Sequence, residues 1–306
     1  LFAWSPREYS ARCIDLVRGS LVIDMLGLTS LNSETEARWG PGMDGMTDED
    51  VAHFRNSGID VFHIASGVGG RTQQEAYQNV LAFVGHYDSI VANRPDVFVR
   101  IDSAADLASV HGSGRSGILI GIQNSQHFRN PDDVNTFHAL GQRVSQLTYN
   151  SRNMIGNGST ERVDGGISDF GVGIVARMNE VGMAVDVSHS GDQTTLDACE
   201  ISARPVLYTH SNARALNPGH PRCKTDEAIL RMGATGGVMG ITGVRNFVKG
   251  REPTTVEDYI NHFDHVRDLI GIEHLGIGSD IDLFGYDDMP PEAYARLKAN
   301  YKDSYA

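Results

Sequence analysis

The sequence predicts an α/β fold of the (β/α)8, TIM-type barrel class. Short apolar runs alternate with longer amphipathic stretches along the chain. Several of the runs are almost wholly apolar, as strands covered on both faces of a parallel sheet must be. The residues with the greatest chemical capacity, His189, His210 and Asp280, stand where such runs end. That is where barrel enzymes carry their active sites.

The strand-like runs are 21–26, 59–65, 117–123, 143–148, 183–187, 205–209, 237–241 and 274–278, which makes eight. Helix signals fall between them. Ser5-Pro6 opens the first, with serine as cap and proline at the first helical position. Thr47-Asp-Glu-Asp opens the next with acids in the first turn. Segments 73–91, 131–140, 170–181, 192–201, 225–232 and 255–270 follow. Two long stretches rich in glycine and polar residues, 29–46 and 150–168, are expected as loops that shape the mouth of the barrel. An open doubly wound sheet is the alternative fold. It loses support because no Gly-x-Gly-x-x-Gly follows the first strand and no P-loop lysine motif occurs. With no repeat and no Pro/Ser-rich linker, residues 1–306 are read as a single domain.

Composition narrows the function. The chain is 40% hydrophobic and 21% charged, with a net charge of −13. An acidic chain is a poor nucleic-acid partner, because phosphate contacts need clustered Lys and Arg. Cys13, Cys199 and Cys223 are too few and too scattered for a disulfide framework. No apolar run approaches the ~20 residues of a membrane helix. A soluble protein is expected, cytoplasmic or periplasmic. The first residue is leucine, so an upstream segment, a signal peptide included, is compatible with the sequence.

Two histidines on successive strands would project toward one barrel mouth. Neutral imidazoles suit zinc and similar cations, and a catalytic site keeps a position open for water. Asp280, on the last strand, is placed to take a proton from attacking water and return it to a leaving amine. Small-molecule amide hydrolysis is the chemistry such a set supports.

Four segments carry a resemblance. They are Gly182-Met-Ala-Val-Asp-Val-Ser-His189, Pro205-Val-Leu-Tyr-Thr-His210-Ser-Asn-Ala-Arg-Ala, His220-Pro-Arg222-Cys-Lys-Thr-Asp226 and Gly276-Ile-Gly-Ser-Asp280-Ile-Asp282. In this order they resemble the renal (membrane) dipeptidase family of metallopeptidases, within the amidohydrolase superfamily. The resemblance implies a (β/α)8 barrel with a two-metal centre, usually zinc, that hydrolyses dipeptides and related small amides. It implies His189 and His210 as ligands of the second metal and Asp280 as acid/base. It implies Arg222 as the clamp on a substrate carboxylate, to which a guanidinium fork is matched. Family members are often dimers, so a homodimer is compatible.

The departures from the family pattern are specific. Its first-strand His-x-Asp pair falls here on Leu26 and Leu28. Its bridging glutamate falls on Gln123, a neutral amide. Its substrate-contacting histidine falls on Tyr149, next to Asn150 in a polar pocket wall. The helices that the family carries beyond the last strand are expected to be missing or outside this sequence, with 291–306 a loop or helix over the mouth.

The expectation is therefore one divalent cation, zinc by preference, on His189 and His210, with Gln123 as a weak ligand and a second cation doubtful. The alternative is a catalytically impaired member that binds a small molecule or serves a pathway as an accessory protein. A non-hydrolytic reaction through Asp280 ranks last. Asp24 and His63 are read as structural, and His127 as a lesser candidate for the mouth.

Overall fold

The computed structural model describes residues 9–29, 33–283 and 290–304. Nine strands follow in order: β1 Ile23–Asp24, β2 Val61–Ser66, β3 Phe98–Arg100, β4 Ser116–Ile122, β5 Gln142–Gln146, β6 Ala184–Asp186, β7 Val206–Ser211, β8 Met239–Ile241 and β9 Leu275–Ile277. Every pairing is parallel. The pairing of β2 with β4 and of β1 with β9 closes an eight-stranded ring. Each strand of the ring overlaps one of the eight predicted runs, with bounds that differ by one or two residues in β2, β4, β5 and β7.

The ninth strand, β3, stands outside the ring. It pairs only with Ser116–Ile118, the first part of β4, and β5 takes over the same edge from Ile120. Three residues are too short a run to show a period, so nothing in the sequence marks β3.

The helices begin where their caps predict. Thr47 and Asp50 form a reciprocal capping box, as do Thr255 and Asp258. Asn130 caps a helix with Pro131 at its first position, and Ser168 caps Asp169–Val181. The start expected at Ser5-Pro6 lies outside the described residues. The first helix described is Ala11–Arg18, capped by Ser10.

Stretch 29–46, expected as a loop, contains the helix Ser33–Trp39. One carboxylate holds it in place. Asp50 accepts from both terminal nitrogens of Arg38 (2.7 and 2.9 Å) and from Trp39 Nε1 (2.9 Å). The Arg38 guanidinium holds the Asp50 carboxyl well below the usual carboxylate range. Short helices of this kind, with Ala104–Val110 and Arg245–Val248, owe their form to tertiary contacts rather than to sequence period.

The main core lies between the ring and its helices. Phe54 packs edge-on against Phe62 and Phe98 at 5.9 and 5.3 Å between centroids. Inside the ring the side chains are more polar. His63 on β2 is buried; its Nδ1 donates to the Met25 carbonyl, and its Nε2 has no hydrogen-bond partner. The ring presses on Gly121 of β4, where any Cβ would collide with Nε2. Histidine and glycine thus form one packing unit across the register pairing of β2 with β4.

Asp24 is structural, as expected. It accepts from the Ser279 amide (2.9 Å), the Ser279 hydroxyl and the Leu26 amide (3.2 Å), tying the end of β1 to the turn after β9. The helix Pro291–Ser304 lies against the segment after β8, through Tyr294 with Arg245 (2.8 Å) and Lys298 with Glu252 (2.7 Å).

Gly121→Ala is expected to lower stability in urea by about 1–3 kcal/mol, the usual scale for overpacking. In a His63→Ala background the same change should cost much less, since the two residues share one space.

Candidate metal centre at the barrel mouth

His189 stands three residues beyond the end of β6, and His210 lies near the end of β7, its neighbour in the sheet. Their Nε2 atoms are 2.9 Å apart, with the rings tilted by 57°. Both side chains are buried.

The other nitrogen of each ring fixes its tautomer. His189 Nδ1 donates to Asn150 Oδ1 at 2.6 Å. His210 Nδ1 lies 2.9 Å from Thr209 Oγ1, and that hydroxyl donates to Asp186 Oδ2 at 2.7 Å. With its proton committed to a carboxylate, the Thr209 oxygen can only accept from the imidazole. Each Nδ1 therefore carries the proton, and the two Nε2 lone pairs face one another. Such an arrangement is repulsive until a proton or a cation lies between them, and it is how ligating histidines are prepared. Burial, and then the Arg222 charge, hold both imidazoles well below the ordinary histidine pKa, so protonation is opposed.

Asp186 organises the ends of both strands. It is buried at the tip of β6 and accepts from the Ser188 amide (2.9 Å), the Ser188 hydroxyl (2.6 Å), the Thr209 amide (3.2 Å) and the Thr209 hydroxyl. It was not among the site residues expected from sequence. The available signal was a carboxylate inside the otherwise apolar Ala184-Val-Asp-Val187 run.

The segment 150–168 closes over His189. Ser159 N donates to the His189 carbonyl (2.7 Å), Gly191 N donates to Asn157 O (3.0 Å), and Gly158 bridges to Ser190. Gly158 approaches the Tyr149 and Asn150 backbone so closely that no Cβ would fit. The Tyr149 ring stacks on His189, 4.1 Å between centroids at 21°. Tyr149 and Asn150, the expected pocket wall, thus touch the first histidine directly.

Arg222 is fully buried. Its Nη1 donates to the Ser188 carbonyl and its Nη2 to the His210 carbonyl (3.3 Å), while Nε has no partner. Asp280 adopts a left-handed backbone, φ 57°, with its amide donating to Leu26 O at 2.7 Å. Desolvation, with some opposition from Arg222, pushes its carboxyl up to about 7. Among the described residues that carboxyl accepts no hydrogen bond. Gln123 follows β4; its Nε2 donates to Ala65 O (3.1 Å), which leaves Oε1 as the atom open to a ligand. His127 is not at the mouth. It is buried between Asn124 O and Gln142 Oε1, both at 3.1 Å, and burial holds its pKa down to about 4.

These donors fit one half of a dinuclear centre. The two imidazoles present lone pairs to a common point. The other half does not fit: Leu26 is completely buried as core, Leu28 is apolar, and Gln123 carries no charge. Among the described residues no group of three or more His, Cys, Asp and Glu side chains is arranged to hold a metal ion.

Comparisons with known proteins agree with this geometry. Residues 12–293 match the membrane dipeptidase family, peptidase family M19. Dipeptidase verJ of Clonostachys rogersoniana is 36% identical over 183 residues, which is 59% of this chain and 47% of that protein. Dipeptidase tcpJ of Claviceps purpurea is 34% identical over 183 residues, 58% and 43% of the two chains. The alignments thus span less than half the length of these curated relatives. The crystal structure of an amidohydrolase from Pseudomonas aeruginosa superposes with a TM-score of 0.74 at 31% identity, covering 87% of this chain and 76% of its own. A metallopeptidase from Rhodobacter sphaeroides, solved with a phosphinate mimic of L-Ala-D-Ala, shares the fold at TM-score 0.75 and 22% identity, over 92% and 93% of the two chains. Barrel, paired histidines and the match over most of the chain lead to one assignment: the protein belongs to the membrane dipeptidase family of metallopeptidases, peptidase family M19.

Proposed function

We propose that this protein is a dipeptidase-like hydrolase working with one divalent cation, zinc by preference, held by His189 and His210 with Gln123 Oε1 as a weak third donor. The observation that carries the reading is the pair of facing Nε2 atoms, each stripped of its proton by a partner on Nδ1. A cation bound there would polarise a substrate carbonyl and acidify water.

This chain's own residues supply the rest. Asp280 takes the proton from water and returns it to the leaving amine. A carboxyl raised to about 7 is matched to that exchange near neutral pH. Arg222, with a buried Nε that lacks a partner, receives the substrate carboxylate. Tyr149 and Asn150 wall the pocket and keep His189 in one orientation. The substrate is a small amide or dipeptide-like molecule with a free carboxylate.

A second reading draws on Leu26, Leu28 and Gln123. A chain without the anionic ligands of the first site holds cations less tightly. It would then serve as a small-molecule binding or accessory protein. Dipeptides and N-acyl amino acids, offered with zinc, cobalt or manganese, separate the two. Turnover supports the hydrolase, and silence with every metal leaves the binding protein.

Protein purified without chelator is expected to hold close to one equivalent of zinc by elemental analysis, and His189→Ala only traces. Full activity in that variant would sink the proposal. Because Asp280 must be ionised to act as base, kcat/KM should rise with pH through about 7. Asp280→Asn should lose on the order of 10²–10⁴-fold and flatten the profile.

A further inference from the structure

Lys224 is a lysine with no place in the chemistry above. It is 1% exposed, yet no carboxylate pairs with it among the described residues. Its Nζ donates to Val187 O (2.6 Å), Ser190 O (2.8 Å) and Thr195 Oγ1 (3.0 Å). An ammonium has three protons, and all three are used; burial, and then the Arg222 charge, lower the lysine's pKa to about 7, so the three-donor form prevails below that pH. Val187 and Ser190 bracket Ser188-His189, so the ammonium grips the histidine-bearing turn on both sides.

The backbone of the same residue holds the other histidine. Lys224 N donates to Asn212 O at 2.8 Å, and Arg214 N donates to Lys224 O at 2.8 Å. Ala213 and Lys224 form a parallel bridge. Asn212 lies two residues beyond His210. One residue therefore joins the turn after β6 by its side chain and the turn after β7 by its main chain.

We propose that Lys224 is the positioning residue that sets the separation of the His189 and His210 Nε2 atoms. The turn that carries His189 lies beyond the last ladder pairing of β6 with β7, at Asp186 and Leu207; Asp186 and Arg222 join the two strand ends from one side, and Lys224 ties Val187, Ser190 and Asn212 together from another. An uncharged side chain could not replace the ammonium. It would leave two buried carbonyls without donors, and such groups draw the turn toward water. Cation–carbonyl bonds are also shorter and stronger than neutral ones, which favours a tight fix. The Tyr208 ring, 5.3 Å from Nζ, closes the lysine from solvent.

The inference rests on His189 and His210 being the working pair, but its test needs no metal. Metal-free protein with 15N-labelled histidine and lysine is examined by NMR at pH 6. In wild type the Lys224 ammonium protons should exchange slowly enough to be observed, apart from the surface lysines. In Lys224→Met the Nδ1 signal of His189 should broaden or move toward that of a solvated imidazole. The signal of His127, buried elsewhere in the barrel, should stay in place, which separates local positioning from general loosening. An unchanged His189 signal in the folded variant overturns the proposal. So does a Lys224 ammonium that exchanges as fast as those at the surface, a result that stands even if the variant does not fold. A zinc titration adds a second arm: the variant should bind about tenfold more weakly, as when outer-shell partners are lost. No zinc binding by wild type, with the NMR result intact, would refute the hydrolase reading and leave the role of Lys224 standing.

Discussion

Asp186 is a carboxylate buried at the tip of a strand, and among the described residues no cationic side chain pairs with it directly. Its charge is dispersed instead into four hydrogen bonds, two from Ser188 and two from Thr209. A carboxylate so saturated is both stable in the interior and directional. It aligns the turn that carries His189 with the strand that carries His210, and through Thr209 it settles which nitrogen of His210 holds the proton. Each other contact at the mouth builds on that alignment: the Asn150 bond, the Tyr149 stack, and the Arg222 guanidinium lying across both backbones.

The electrostatic balance of the mouth follows. Burial, and then the positive charge of Arg222, hold the two imidazoles well below the ordinary histidine pKa, with a smaller contribution from Lys224. Asp280 faces this charge with a carboxyl that burial pushes up to about 7. Under the proposed one-cation reading, Leu26, Leu28 and Gln123 bring no ligand charge to this region. Leu26 has become core where a ligand would have needed open space.

The ring strands were legible because strands covered on both faces tend to be apolar along their length, as several of the eight runs are, and because helix signals fall between all of them. β3 and the short helices were not, because three to seven residues held by tertiary contacts leave no periodic trace. At the candidate site, the residue types and strand ends singled out His189, His210 and Asp280 as the proposed residues. What could not be read was which partners sit on each Nδ1, since Asn150 lies 39 residues from His189 and their contact depends on a loop closing back. Lys224 and Asp186 are visible only as misfits, a lysine and an aspartate in places that end up dry. His63 illustrates the limit: its burial was foreseen, but its unpaired Nε2 and its dependence on Gly121 belong to a cross-strand register that one sequence does not reveal.

Segment 150–168 does more than cover the mouth. The Asn150 side chain sets the His189 tautomer, while Ser159, farther along the same segment, is bonded to the His189 carbonyl. Lifting the segment to admit a substrate would release the proton position on that ring in the same movement. The segment's position and the tautomer of His189 are therefore coupled, and by reciprocity any group that favours the bonded segment also favours the proton on Nδ1.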